Sequence, residues 1–406
     1  MASLVEKRLA SLDFWAESHA ERDALFAALR AADEPVYCPV PGESGFYALT
    51  RYGQVTEASR NPQVFSSQPT AVSLVDPPQT ADYTGSMISL DDPRHARLRR
   101  IVSRSFTPRL VERVAGDVAV LARRIVDGLE ERGPCDFVEH VATPMPLQII
   151  CSMMGIPDSE YDEVIDATNL ILALGDPDHD APDGRHRTAI LAEKFSYLHQ
   201  LMADLGRARR EEPADDLVTA LTHANVDGEA LTEKELGRFF SLLVVAGNET
   251  TRNALSHALV LLTEHPDQRD ALLADLEGRL PGAVEEIVRY ATPVTWMRRT
   301  LTRDYELEGH LYRSGDRVVL YYNSANRDES VFRDPYAFDI TRSPNPHVGF
   351  GAPGPHFCLG AHLARREITV MLRELYTRLP DLHATEAPIR QRSSFINGIK
   401  SVSCAF

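Results

Sequence analysis

The 406-residue sequence predicts a mainly α-helical fold with small β-sheets, and three observations carry that expectation. Apolar residues recur at helical spacing from about Ala96 to Tyr290. The longest such run, Thr232 to His265, opens with a Thr232/Glu235 capping box, stops before Pro266 and would extend about 50 Å at roughly 1.5 Å per residue. Short β-like runs appear only afterwards: Val318-Val-Leu-Tyr-Tyr322 follows the Ser314-Gly315 turn, and Tyr305-Glu-Leu with Gly309 is its expected hairpin partner.

With 43% hydrophobic and 25% charged residues the chain can bury a large core, and one domain over 1–406 is expected. The net charge of -16 disfavours nucleic acid and anionic membranes as main partners. Met1-Ala-Ser-Leu-Val-Glu-Lys-Arg-Leu-Ala contains no long apolar run, so neither a secretory signal nor a membrane anchor is expected, and a soluble cytoplasmic protein is. Cys38, Cys135, Cys151, Cys358 and Cys404 are scattered, without a Cys-x-x-Cys pair; they suit a reducing compartment and outline no disulfide framework.

In Asp92-Pro-Arg-His-Ala-Arg-Leu-Arg99, His95 and Arg99 are one helical turn apart and share a face. The stretch from Arg94 to Arg113 also holds Arg97, Arg100, Arg104 and Arg109, with Glu112 its only acid. Without a nucleic-acid recognition motif, this basic segment on an acidic chain fits an acidic protein partner better. Gly175 to Gly184 has linker composition; Asp178, His179 and Asp180 superficially resemble metal ligands there, but a solvated loop is the expected state.

Within the long helix, Ala246-Gly-Asn-Glu-Thr-Thr251 interrupts an apolar run, a costly insertion if buried. Gly247 weakens the helix there, and the Thr250 hydroxyl can bond back to the Ala246 carbonyl, leaving a groove for a small ligand and water. A hydroxyl beside the Glu249 carboxylate is a plausible proton relay, and a solvent-facing polar patch is the plain alternative. Glu286-Ile-Val-Arg289 puts an acid and a base at i and i+3, a spacing that alone would read as a surface pair.

Phe350-Gly-Ala-Pro-Gly-Pro-His-Phe-Cys358-Leu-Gly360 delivers one cysteine to the start of the amphipathic segment Ala361-His-Leu-Ala-Arg-Arg-Glu-Ile. The helix N-terminus should lower the thiol pKa and make a thiolate available to a metal. A buried packing thiol and a catalytic nucleophile are alternatives; no local His supports the second, and the cysteine spacing excludes a zinc cluster.

The pattern Phe350, Gly351, Gly354, His356, Cys358 and Gly360 resembles the haem-binding loop of cytochromes P-450. The resemblance spans nearly the whole chain, with His95/Arg99, Glu249/Thr250, Glu286/Arg289, Arg342 and Cys358 in the family's order. It implies the P-450 fold, with haem b between the long helix and the cysteine-bearing loop and helix, and Cys358 as axial ligand of the iron. His95, Arg99, Arg299 and His356 would hold the propionates, with Arg298 competing for the place of Arg299. Phe350, Gly351, Gly360, Ala246 and Gly247 would border the haem. Glu249 and Thr250 would deliver protons to dioxygen, Glu249 acting as the relay to solvent. Glu286, Arg289 and Arg342 would lock the segment before the loop, and Gly175 to Gly184 would lie between two helices roofing the pocket.

The activity implied is a monooxygenase that hydroxylates an apolar small molecule: a terpenoid, steroid, lipid or secondary metabolite. Val245, Ala246, Val294, Trp296, Met297, Phe395 and Ile396 would form its apolar wall. No flavin or dinucleotide motif follows the cysteine, so electrons would come ultimately from NAD(P)H through a separate ferredoxin and ferredoxin reductase. The ferredoxin would dock on Arg97, Arg100, Arg104, Arg109, His362, Arg365 and Arg366 of a monomer. A peroxygenase using hydrogen peroxide is the alternative, against which the Glu249/Thr250 pair counts; a haem-thiolate sensor or carrier would want an output domain. Phe350 and Cys358 are eight residues apart where the common loop has seven, with Pro353 or Pro355 as the extra residue. A similar longer loop, and a tail like Ser394-Phe-Ile-Asn-Gly-Ile-Lys400, occur among actinobacterial relatives acting on sterols and branched lipids.

Overall fold

Thr232 caps a 32-residue helix, Glu233–Glu264, that forms the spine of the computed structural model. The reciprocal cap is present: Thr232 Oγ1 accepts from the Glu235 amide at 3.2 Å, and the Glu235 carboxylate accepts from the Thr232 amide at 2.9 Å. The structure describes residues 8–76, 85–172, 187–224, 228 and 230–406.

Among the described residues the helices of seven or more residues are α1 (His19–Ala31), α2 (Tyr52–Arg60), α3 (Arg94–Ser105), α4 (Pro108–Arg132), α5 (Pro144–Met154), α6 (Tyr161–Leu172), α7 (Arg187–Glu211), α8 (Leu217–His223), α9 (Glu233–Glu264), α10 (Pro266–Ala274), α11 (Leu276–Ala291) and α12 (Ala361–Arg378). The largest apolar cluster runs through α3 to α12, with Phe240, Val244, Leu255 and Leu259 of α9 at its centre. The Gly175–Gly184 stretch, with Asp178, His179 and Asp180, lies outside the described residues. Among the residues described, no helix is long and apolar enough to cross a membrane, and no group of three or more acidic, His or Cys side chains could hold a metal ion.

The strands are β1 (Val36–Val40), β2 (Glu43–Leu49), β3 (Phe65–Ser66), β4 (Cys135–Asp136), β5 (Trp296–Leu301), β6 (Tyr305–Leu307), β7 (His310–Tyr312), β8 (Arg317–Tyr321), β9 (His383–Ala384), β10 (Ile389–Arg390), β11 (Ile399–Ser401) and β12 (Ser403–Ala405). The principal sheet has the order β1-β2-β8-β5-β3, with only β2 and β8 parallel. One face carries Val318, Leu320 and Met297 over α2; the other carries Trp296, Val319 and Tyr321 against Trp15, Leu25 and Phe26 of the N-terminal segment.

The hairpin expected between Tyr305-Glu-Leu and Val318–Tyr322 does not form. β6 turns at once into β7 through Glu308 and Gly309, both at positive φ (49° and 81°), as a tight two-residue hairpin requires. β8 pairs instead with β5, across the β6–β7 excursion, and with β2, which lies far off in sequence.

Candidate functional site

The cysteine loop is an arch whose two ends are joined. The Cys358 amide donates to the Phe350 carbonyl at 3.0 Å, while smaller turns close from Gly351 to Val348 and from Phe357 to Gly354. Gly351 sits at φ 85°, where a side chain would be strained. A Cβ on Gly354 would meet the Ser59 carbonyl at 2.2 Å, so the arch lies directly on the end of α2.

Gly360 is the N-cap residue of α12, which puts Cys358 two residues ahead of it. Burial pushes the Cys358 thiol up, against the opposing pull of the Gly360 amide, Arg99 and Arg365. The lowered pKa expected from the helix terminus is therefore corrected: desolvation outweighs the Gly360 amide and the two guanidiniums. A thiolate here needs a cation at the sulfur, as a bound metal supplies.

Four donors converge beside this arch. The His95 and His356 rings lie 4.1 Å apart, His356 Nε2 is 3.0 Å from Ser67 Oγ, and Arg99 donates to the Phe357 carbonyl at 2.6 Å. Burial pushes His356 down to about 2, helped by Arg299, His95 and Arg99, so His356 feels the charge of the other three. Arg299 is 4% exposed and has no ion pair among the described residues; its one hydrogen bond is to the Arg298 carbonyl at 2.7 Å. Asp91 acts on Arg299 from beyond contact, and a buried guanidinium with no acid in contact is costly unless an anion completes it. Two guanidiniums and two imidazoles of this kind fit the paired carboxylates of haem.

On α9 the Thr250 hydroxyl donates to the Ala246 carbonyl at 2.7 Å without interrupting the helix. Ala246 is exposed although Val244 and Asn248 beside it are buried, so this side of the helix is open. A Cβ on Gly247 would meet Ile150 Cδ1 of α5 at 2.7 Å, so Gly247 also serves close helix packing. Glu249 is 1% exposed, which removes the surface-patch reading. The side chain lies inside the fold: Arg252 and Asn253 hold its Oε1 at 2.5 and 2.9 Å, and Oε2 has no partner among the described residues.

Glu286 and Arg289 are wholly buried, joined by bonds of 2.8 and 2.7 Å. Arg289 also donates to the carbonyls of Asn326, Pro335 and Ala337, and Arg342 Nε lies 3.2 Å from Glu286. The α11 pair is thus the bolt on the segment that leads to the arch.

Sequence reasoning missed two neighbours. Glu285 takes a two-pronged bond from Arg365 (2.5 and 2.9 Å) and one from His347 Nε2 (2.9 Å), while Arg365 lies 4.3 Å over the Phe350 ring. Glu367, buried beside Thr251, is pushed up to about 8 by burial. Its only sequence signal is an acid in the apolar stripe of α12.

The Cytochrome P450 family model matches residues 12–379. The chain belongs to this family. It is 48% identical to the methyl-branched lipid omega-hydroxylase of Mycobacterium tuberculosis (strain ATCC 25618 / H37Rv), over 98% of this chain and 94% of that one. It is 38% identical to the steroid C26-monooxygenase of Mycolicibacterium smegmatis, over 92% and 88%. The structure of Mycobacterium marinum cytochrome P450 CYP268A2 in complex with pseudoionone superposes with a TM-score of 0.92 at 42% identity, over 98% of each chain. This P450 is accordingly a haem monooxygenase for an apolar substrate, with the fold the sequence implied.

The candidate substrate wall divides. Trp296 and Met297 are consecutive on β5 and point to opposite faces. Met297 shares its face with Arg299, whereas Trp296 is buried against Phe395 (5.0 Å) among the N-terminal aromatics. Trp296 and Phe395 therefore part from Val245, Ala246 and Met297. Val294 and Ile396 face each other across an isolated antiparallel bridge.

The basic surface of this P450 is smaller than expected. Arg97 is bound to Glu235 (2.8 Å) and Arg365 to Glu285, while Arg109 pairs with Asp215 at 3.1 Å at the surface. Arg100, Arg104, His362 and Arg366 remain exposed.

Proposed function

We propose that this P450 hydroxylates a terminal carbon of a methyl-branched aliphatic chain, such as that of a branched lipid or a steroid, with dioxygen and ferredoxin-delivered electrons. The arch that holds Cys358 beside four converging cationic and imidazole groups carries the haem assignment; the names of the two curated relatives carry the substrate class.

Haem, when bound, supplies the iron at which dioxygen is activated for insertion into a carbon–hydrogen bond. Cys358 is its protein ligand, and His95, Arg99, Arg299 and His356 take the propionates. Glu286, Arg289 and Arg342 hold the approach to the arch in register. Thr250 presents a hydroxyl on the open side of α9, and Glu249, held by Arg252 and Asn253, is the adjoining carboxylate that resupplies protons. Val245, Ala246, Val294, Met297 and Ile396 exclude water and orient an apolar chain. Electrons come from NAD(P)H through a ferredoxin docking near Arg100, Arg104, His362 and Arg366.

The reduced, carbon monoxide-bound protein should show the long-wavelength Soret band of thiolate ligation; its absence rejects Cys358 as ligand. Methyl-branched fatty acids and steroids should shift the iron from low to high spin and yield terminally hydroxylated products. Turnover at mid-chain carbons alone would reject the substrate assignment.

A further inference from the structure

Cys135 and Cys404 are far apart in sequence, and the fold makes them direct neighbours. β4 and β12 pair antiparallel with Asp136 opposite Ser403 and Cys135 opposite Cys404. The Phe137 amide donates to the Val402 carbonyl at 2.9 Å, which marks that pair as hydrogen-bonded. Two residues on, Cys135 and Cys404 form the next pair of the same kind, with side chains on one face and α-carbons about 5.5 Å apart. That separation falls inside the roughly 4.4–6.8 Å that a disulfide spans, while the Cβ atoms of a hydrogen-bonded pair stand about 5.5 Å apart and must draw in by about 1 Å for the bond to close. The thiols interact side chain to side chain. Both cysteines are free; Cys404 is buried and Cys135 is half-buried at the sheet's outer end.

We propose that Cys135 and Cys404 are a redox-closable thiol pair, oxidised by hydrogen peroxide to a disulfide that fastens the last strand to the chain ahead of α5. The half-buried Cys135 sulfur attacks one peroxide oxygen and breaks the O–O bond, giving a sulfenic acid and one water. The Cys404 thiol then attacks that sulfur, displaces its hydroxyl as a second water and gives up its own proton. Two thiols and one peroxide become one disulfide and two waters, the thiols losing two electrons and the peroxide gaining them. Peroxide is also what an oxygen-activating enzyme releases when reduction runs without substrate oxidation.

Burial pushes both thiols up, Cys404 to about 12, so both are protonated at neutral pH. Closure is therefore slow and dose-dependent. The effect would be structural. β12 is flanked by β9 and β4, and β9 is tied to α9 where the Ala384 amide donates to Thr263 Oγ1 at 2.9 Å. The closed pair would enclose most of the chain in one loop, which restricts the unfolded state strongly.

The test uses the haem-loaded enzyme, purified with reductant, desalted and incubated with graded hydrogen peroxide. Free thiols are then blocked with N-ethylmaleimide, and the protein is digested without reduction for mass spectrometry. The expected result is a peptide pair joined through Cys135 and Cys404 that vanishes on dithiothreitol treatment. A reversible rise in the unfolding midpoint of about 5 °C should accompany it, and both Cys135→Ser and Cys404→Ser should abolish the rise. Sulfinic or sulfonic acid at Cys135 without the joined peptide, at doses that oxidise methionine, overturns the proposal, and so does cross-linking of either cysteine to another partner. Peptide mapping of the unmutated enzyme decides the matter even if a variant folds poorly.

Discussion

Arg298 and Arg299 are adjacent on β5, yet one is neutralised and the other is not. Arg298 pairs with Asp76 and donates to the carbonyls of Ser73 and Leu74 at 3.1 and 3.3 Å. Arg299, one residue on and on the opposite face, has among the described residues no ion pair and one side-chain hydrogen bond, to a neighbouring carbonyl, with Asp91 acting on it only from beyond contact. A charge-assisted hydrogen bond is worth roughly 1.5–3 kcal/mol, so Arg299→Gln should weaken haem retention about 10- to 100-fold. Arg298→Gln should lower stability and leave haem affinity nearly unchanged. Haem transfer to apomyoglobin measures both, and equal loss from the two variants would remove Arg299 from the propionate site.

Arg289 uses all five of its N–H donors, on two carboxylate oxygens and three carbonyls. Lysine offers three donors without the planar fork. Arg289→Lys should therefore behave almost like Arg289→Ala, each costing up to about 3–5 kcal/mol because the buried Glu286 carboxylate loses its two-pronged partner and is left with Arg342. Urea unfolding followed by circular dichroism tests this; a Lys variant close to wild type would refute it.

Gly247→Ala gains helix propensity but drives a methyl into Ile150 Cδ1. Ile150→Val removes that atom. The double variant should be more stable than the summed single effects by about 1 kcal/mol, readable in a double-mutant cycle. Simple additivity would mean that α5 yields freely at this contact.

Met297→Ala should change substrate-induced spin shifts and leave the unfolding midpoint nearly intact. Trp296→Phe should do the reverse, because its ring packs in the aromatic cluster behind the sheet. Equal substrate effects from both would contradict the assignment of faces.

His257 is 3% exposed and bonded through Nε2 to the Asn397 carbonyl at 3.0 Å. Burial, with Arg390 and Arg22 nearby, pushes it down to about 3 from 6.5. Between these values the unfolded chain binds a proton that the folded one refuses, so stability falls as pH drops below 6.5, by about 1.4 kcal/mol per unit for one such group. His257→Gln should flatten the change in unfolding free energy between pH 7.5 and 5.5 by about that amount. An unchanged slope would place the acid sensitivity elsewhere.

What the sequence made legible is chemistry confined to a few consecutive residues. The Thr232 cap, the Glu286/Arg289 spacing and the glycine-rich approach to Cys358 are local, and each appears where its pattern puts it. What stayed hidden depended on register or burial. The sequence allowed Trp296 and Met297 on one wall, and only the pairing of β5 with β8 separates them. Arg97 and Arg365 looked like free surface charge because Glu235 and Glu285 lie far away in the chain. The helix-terminus argument for Cys358 was sound in sign but took no account of desolvation. Cys135 and Cys404 met only through the last strand.

The bond between the Cys358 amide and the Phe350 carbonyl gives the residues between them an unexpected freedom. A span whose two footings are fastened together can be lengthened at its crown without displacing either foot. Insertions between Gly351 and His356 thus amount to a variable handle on a constant anchor, limited where Gly354 rests on Ser59, where His356 meets Ser67 and His95, and where Arg99 holds the Phe357 carbonyl. The shape offered on that side can then change while the sulfur keeps its address.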